Sequence, residues 1–174
     1  MILRRAVVVA AVAASLVLVA GCTSQPPVVH GSSGVTVTPT PDAVPAPTCE
    51  TLIRSDLVES LTSHNWTAET DTFRIGNIEV PGGLWCQWGD YSVASDHVQI
   101  YGWARIDAAD ADAARAQLLK DGWHELDGGY VTQDSATTFN TDADGYGMTY
   151  QFGDGWVTVS DTKQGLLVIQ RPAS

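Results

Sequence analysis

The chain has 174 residues, of which 20 are acidic and nine are Lys or Arg, a formal net charge of −11. That balance excludes a nucleic-acid binder working through a basic patch, and a face that adheres to anionic lipid, because both need surplus positive charge. An acidic surface instead keeps a domain soluble and held off a bilayer.

Arg4 and Arg5 precede an apolar run from Ala6 to Ala20 that is interrupted only by Ser15. As a helix that run reaches about 22 Å, short of the ~30 Å hydrocarbon core, so it reads as a signal-peptide core and not as a spanning helix. Leu18-Val19-Ala20-Gly21-Cys22 follows, and its last four residues resemble the bacterial lipobox. The resemblance implies that the Cys22 thiol carries a diacylglycerol and that a peptidase removes residues 1–21. The mature protein would then be lipid-anchored on the outer face of the cell membrane, its acyl chains (palmitate among them) giving stable attachment without a span. Arg4-Arg5 lacks the polar and Lys positions of the twin-arginine motif, which favours ordinary secretion. Without residues 1–21 the chain keeps seven Lys and Arg and all 20 acidic residues, a net charge near −13.

Once Cys22 is acylated, Cys49 and Cys86 are the remaining thiols. An exported protein meets an oxidising compartment, so they are expected to form one disulfide. Redox chemistry would call for Cys-x-x-Cys, and a metal site for more ligands. Residues 22–47 are rich in Pro, Thr, Ser and Val, with Pro26, Pro27, Pro39, Pro41, Pro45 and Pro47. They read as a disordered tether, reaching roughly 30 Å as a coil and up to about 80 Å extended. A single globular domain is expected over residues 48–174.

Thr48 is a candidate helix cap, and Ile53, Leu57 and Leu61 recur at helical spacing, with Ser55 able to start a second piece and His64-Asn65 ending it. Residues 66–75 are a weakly patterned strand. Pro81-Gly82-Gly83 reads as a turn, and 84–89 as a strand with Cys86 and Trp88 on one face and Trp85 on the other. Residues 97–106 alternate, with Ile100 and Ala104 on one face and Tyr101 and Trp103 on the other. Asp107 caps an Ala-rich helix that runs to Lys120, with Gly122 just past its end. Short strands are expected over 129–133 and 135–139, a hairpin over 146–160 around Gly153-Asp154-Gly155, and a last strand over 166–170. The fold class is therefore α+β: an antiparallel sheet with about two helices packed on one side and one disulfide.

Tyr101 and Trp103, together with Trp85, are a candidate ligand face for a sugar or a partner protein, unless helices cover it. Asn140 to Gly145 resembles the start of an EF-hand calcium loop, but Gln151 stands where a bidentate Glu belongs, so a polar loop is the reading. No His-Glu-x-x-His, phosphate-cradling loop or Gly-x-Ser-x-Gly elbow occurs, and Ser63-His64 alone makes no triad. No catalytic residue, metal ligand or cofactor is assigned.

The lipobox, the tether and the pair Cys49 and Cys86-Gln87-Trp88 together resemble small actinobacterial surface lipoproteins with a Cys…Cys-x-Trp domain. The resemblance implies an envelope location and a PsbP-like α/β sandwich, and carries no catalytic residue across. The expected function is non-enzymatic: a binding or accessory domain for an envelope protein or glycan, with no nucleic acid involved. The alternatives are an envelope hydrolase, or a carbohydrate, small-ligand or calcium binder.

Overall fold

A computed structural model describes residues 46–136, 138 and 140–172. Two short helices, α1 (Cys49–Leu52) and α2 (Ser55–Ser63), precede a three-stranded meander, β1 (Thr67–Ile75), β2 (Ile78–Gly89) and β3 (Val98–Arg105). Helix α3 (Ala108–Lys120) leads to a second meander, β4 (His124–Leu126), β5 (Tyr130–Asp134), β6 (Tyr146–Gly153) and β7 (Trp156–Ser160). The strands join in one seven-stranded sheet of order β1-β2-β3-β7-β6-β5-β4, antiparallel throughout. A 3₁₀ turn at Gln164–Val168 closes the described chain. The α+β class and the antiparallel sheet are as the sequence implies.

Local chemistry sets the ends of these elements. Thr48 and Thr51 form a reciprocal capping box at α1. Asn65, at φ 62°, turns the chain out of α2. The Asp107 side chain accepts from the Asp110 amide at 2.9 Å and so caps α3. At the other end, Gly122 has φ +91° and the Trp123 amide donates to the Leu118 carbonyl at 3.0 Å. The Gly122 amide donates to Leu119, which completes a Schellman motif.

The expected turn at Pro81-Gly82-Gly83 lies instead inside β2. The β1–β2 reversal is at Gly76-Asn77, between the paired residues Ile75 and Ile78. Pairing jumps from Thr72 opposite Leu84 to Arg74 opposite Glu79, so residues 80–83 bulge out of the ladder. The same residues that signal a turn permit the bulge: Gly82 takes φ +76°, and a Cβ on Gly83 would stand 2.6 Å from Phe73 Cβ. The bulged hairpin tip bends across the sheet. The Tyr150 hydroxyl on β6 thereby donates to the Arg74 carbonyl on β1 at 2.8 Å, although β2, β3 and β7 lie between the two strands.

Both faces of the sheet are buried. On one, Ala111, Ala114 and Leu118 of α3 pack with Phe73, Ala104, Val157 and Val159. On the other, Leu52 and Leu61 of α1 and α2 pack with Cys86, Trp88, Tyr101 and Trp103. Neighbouring residues of one strand, such as Trp103 and Ala104, belong to different clusters, so the helices divide between the two faces and do not gather on one. Beyond α1 and α2 the second face turns polar, with Thr132, Thr149, Thr158 and Ser160 all buried. Thr132 and Thr149 pair hydroxyl to hydroxyl at 2.7 Å.

The C-terminal segment covers this polar half. Residues 166–170, expected as a strand, form the end of the 3₁₀ turn and a single bridge from Ile169 to Ile53. The Arg54 amide donates to Val168 and the Gln170 amide to Leu52. Leu166 is buried while Leu167 is 76 % exposed, so the apolar run is an apolar strap with one face out, not a central strand. Residues 135 and 136 form a turn in place of the other expected strand, and β4 takes the free edge of β5.

Burial pushes the Tyr150 phenol up to about 12 from 10.0, partly offset by a backbone hydrogen bond at Gly76. Its folded pKa is raised, so this stability is present below pH 10 and is lost as pH rises toward 12. Tyr150→Phe should cost about 1 kcal/mol at neutral pH and shrink the alkaline loss by up to about 2–3 kcal/mol. Urea unfolding of both proteins across that range is the measurement.

Candidate functional site

Cys49 and Cys86 form the disulfide, with the sulfurs 2.09 Å apart and both residues buried. It closes a sequence separation of 37, worth on the order of 3–4 kcal/mol through the unfolded chain. Cys22 and the tether up to residue 45 lie outside the described residues.

The aromatic ligand face is corrected. Tyr101 is 4 % and Trp103 7 % exposed, because the disulfide and α1 cover their side of β3. Tyr101 stands directly opposite Cys86, and its hydroxyl donates to Gln99 at 2.8 Å. Trp85 points to the other face, edge-on to Phe73 with ring centroids 6.1 Å apart. The three rings therefore build two cores and no common platform.

The segment Asn140 to Gly145 is a tied-down polar loop. One Asp142 carboxylate oxygen accepts from the amides of Asp144 and Tyr146, and the other from Gln164. The carboxylate thus docks the 3₁₀ turn onto the loop. Among the described residues, no group of three or more His, Cys, Asp or Glu is placed to hold a metal ion.

One cleft among the described residues arises from a mismatch in strand length. β3 has eight residues and β7 five, and their pairing stops at Tyr101 opposite Ser160. Val98 to Ile100 run on past the end of β7, and the sheet forks. Asp161 sits in the fork. Its carboxylate accepts from Ser160 Oγ at 3.0 Å, from the Ile100 amide at 3.4 Å and from Asn140 Nδ2 at 2.8 Å. Burial raises its pKa, and the hydrogen bonds from Ser160, Ile100 and Asn140 partly offset this.

The cleft that opens beside Asp161 holds about 580 Å³. Its lining mixes the apolar side chains of Trp66, Ile100 and Met148 with the neutral amides Gln99, Gln133 and Asn140, and Asp96 and His97 are exposed. Apolar side chains interspersed with a few donors and acceptors suit an uncharged polar ligand. Of these residues Asn140 falls in the EF-hand-like stretch, and the others carry no motif. The sequence signal for the site is the unequal length of two strands that turn out to be partners.

Asp161 has a raised pKa, so its carboxylate disfavours the folded state above that pKa and ceases to do so as pH falls toward 3.8. Denaturation midpoints of wild type should therefore rise on acidification relative to Asp161→Asn; parallel pH profiles would show that burial of this charge is not felt. The chain matches no protein-family description, no curated protein and no solved structure.

Proposed function

We propose that this is a lipid-anchored envelope protein, held by Cys22 on the outer face of the cell membrane, whose domain binds an uncharged envelope glycan in the forked-sheet cleft without transforming it. The observation that carries the reading is the cleft lining, which brings Trp66 and Ile100 together with the amides of Gln99, Gln133 and Asn140. A sugar ring has apolar C–H faces and a hydroxyl rim, and this lining offers a partner for each. The acidic body, tethered by a Pro-rich segment, would hold the cleft away from the anionic bilayer.

The hydrolase reading is kept by one observation, the half-buried Asp161 with its raised pKa in the same cleft. Against it, Oδ1 already accepts from Ser160 and Ile100 and Oδ2 from Asn140, which ties the carboxylate to the fold and leaves one lone pair, on Oδ2, to face a substrate.

The full chain titrated with soluble cell-wall glycan fragments should show a saturable change in tryptophan fluorescence. Trp66→Ala should weaken that binding by about tenfold or more, the usual loss for a central Trp anchor. Absence of any response would overturn the binding reading, and turnover of a glycan that is lost in Asp161→Asn would replace it with hydrolysis. Separately, Cys22→Ser should move the protein from the membrane fraction to the soluble fraction; persistence in the membrane pellet without acylation would overturn the anchor.

A further inference from the structure

The five described arginines divide into two groups. Arg54, Arg74 and Arg115 each form an ion pair, with Asp56, Glu79 and Glu125. Among the described residues, Arg105 and Arg171 have no carboxylate partner. In a chain with 20 carboxylates and nine Lys and Arg, an unpaired arginine runs against the odds. These two line the same groove, of about 350 Å³, with Trp103, Asp154 and Trp156.

The groove is built. Arg105 and Trp156 are direct partners at the last pair of the β3–β7 ladder. The Arg171 guanidinium lies 4.0 Å over the Trp156 ring, and the Arg105 guanidinium 5.8 Å from the Trp103 centroid. The Trp156 indole packs on Gly153, its partner on β6, where any Cβ would collide with the ring. That contact holds the indole as a pedestal for Arg171. A guanidinium resting on an aromatic face spends its π surface there and keeps its in-plane N–H donors for a planar, bidentate acceptor. Asp154 lines the groove without pairing to either arginine.

We propose that this groove is an oxyanion site, in which Arg171, stacked on Trp156, takes a phosphate or carboxylate group bidentately and Arg105 supplies the second positive charge. The site stands at the opposite end of the β3–β7 ladder from the forked-sheet cleft and does not rest on the glycan reading. Its ligand is a small molecule or chain unit bearing one such group.

The test is a titration of the full chain with glycerol 1-phosphate and, separately, with glucuronate, at constant ionic strength to remove general screening. Tryptophan fluorescence should change saturably with at least one probe, and which one responds identifies the oxyanion. The double variant R105Q/R171Q should lose at least about tenfold in affinity, as expected for hydrogen bonds to a charged group. Its thermal midpoint should stay at the wild-type value, because both side chains are exposed. R171K keeps the charge and loses the fork, so it should also weaken binding. The proposal is overturned if neither probe saturates, if R105Q/R171Q binds like wild type, or if R171K does.

Discussion

Five residue pairs between β3 and β7 hold this domain together. Among the described residues they are the only strand pairing that joins the two meanders, and α3 spans the gap between them in sequence. Each strand edge in that seam would otherwise be an open row of unpaired amides and carbonyls. The seam also sets where ligands can reach. At one end the pairing stops at Tyr101 and Ser160, and the unmatched start of β3 leaves a fork filled by Asp161. At the other it stops at Arg105 and Trp156, and the C-terminal strap lays Arg171 on the half-buried indole. Both clefts are thus ends of one ladder, where backbone groups and side chains lose their cross-strand neighbours.

The disulfide sits beside the seam. A single row crosses the sheet from Thr70 through Cys86, Tyr101, Ser160 and Thr149 to Thr132. At β2 and β3 the row, Cys86 and Tyr101, is covered by α1, which is tied through Cys49, while Thr70 at the β1 edge is exposed. On the β5–β7 side it consists of buried hydroxyls: Thr132 and Thr149 pair with each other, Thr149 donates to the Gly147 carbonyl, and Ser160 donates to the Asp161 carboxylate. The strap over this half is a 3₁₀ turn whose Gly165 sits directly on Ser160, where any Cβ would collide with the Ser160 side chain. A bulkier residue at that point would separate the strap from the sheet.

What was legible in the sequence was local. Thr48, Asp107, Gly122 and Asp154-Gly155 each mark an element end through the chemistry of a few neighbouring atoms, and each stands where expected. Alternation in 97–106 sorted the side chains by face correctly. It could not say what covers each face, because period two reports parity and nothing about the layer above. Tyr101 and Trp103 therefore stood open to two readings, a ligand face or a second core layer, and it is α1 and the disulfide lying over them that make them core. Pro81-Gly82-Gly83 failed for a related reason: freedom from a Cβ serves a turn and a bulge alike, and only the partner Phe73 distinguishes them. Leu166 to Ile169 failed because continuous apolarity does not separate a buried strand from a strap with one face outward. The cleft was illegible since it depends on the relative length of strands nearly 60 residues apart in sequence.

The charge distribution gives the arginine groove its significance. A body with net charge −11 repels anions at long range, so diffuse attraction cannot be what Arg105 and Arg171 supply. Their contribution must be short-ranged and geometric: two guanidinium groups held by indoles at fixed positions, with no internal carboxylate to satisfy them. Long-range repulsion then becomes a filter. A polyanion approaching the surface meets the acidic field over its whole length, whereas a single oxyanion on an otherwise neutral molecule meets it once and gains the fork contact in full. The same filter leaves a neutral ligand in the forked-sheet cleft unaffected. A ligand that meets both proposals is largely uncharged and carries sparse anionic groups, and its neutral and charged parts would be engaged at opposite ends of the β3–β7 ladder.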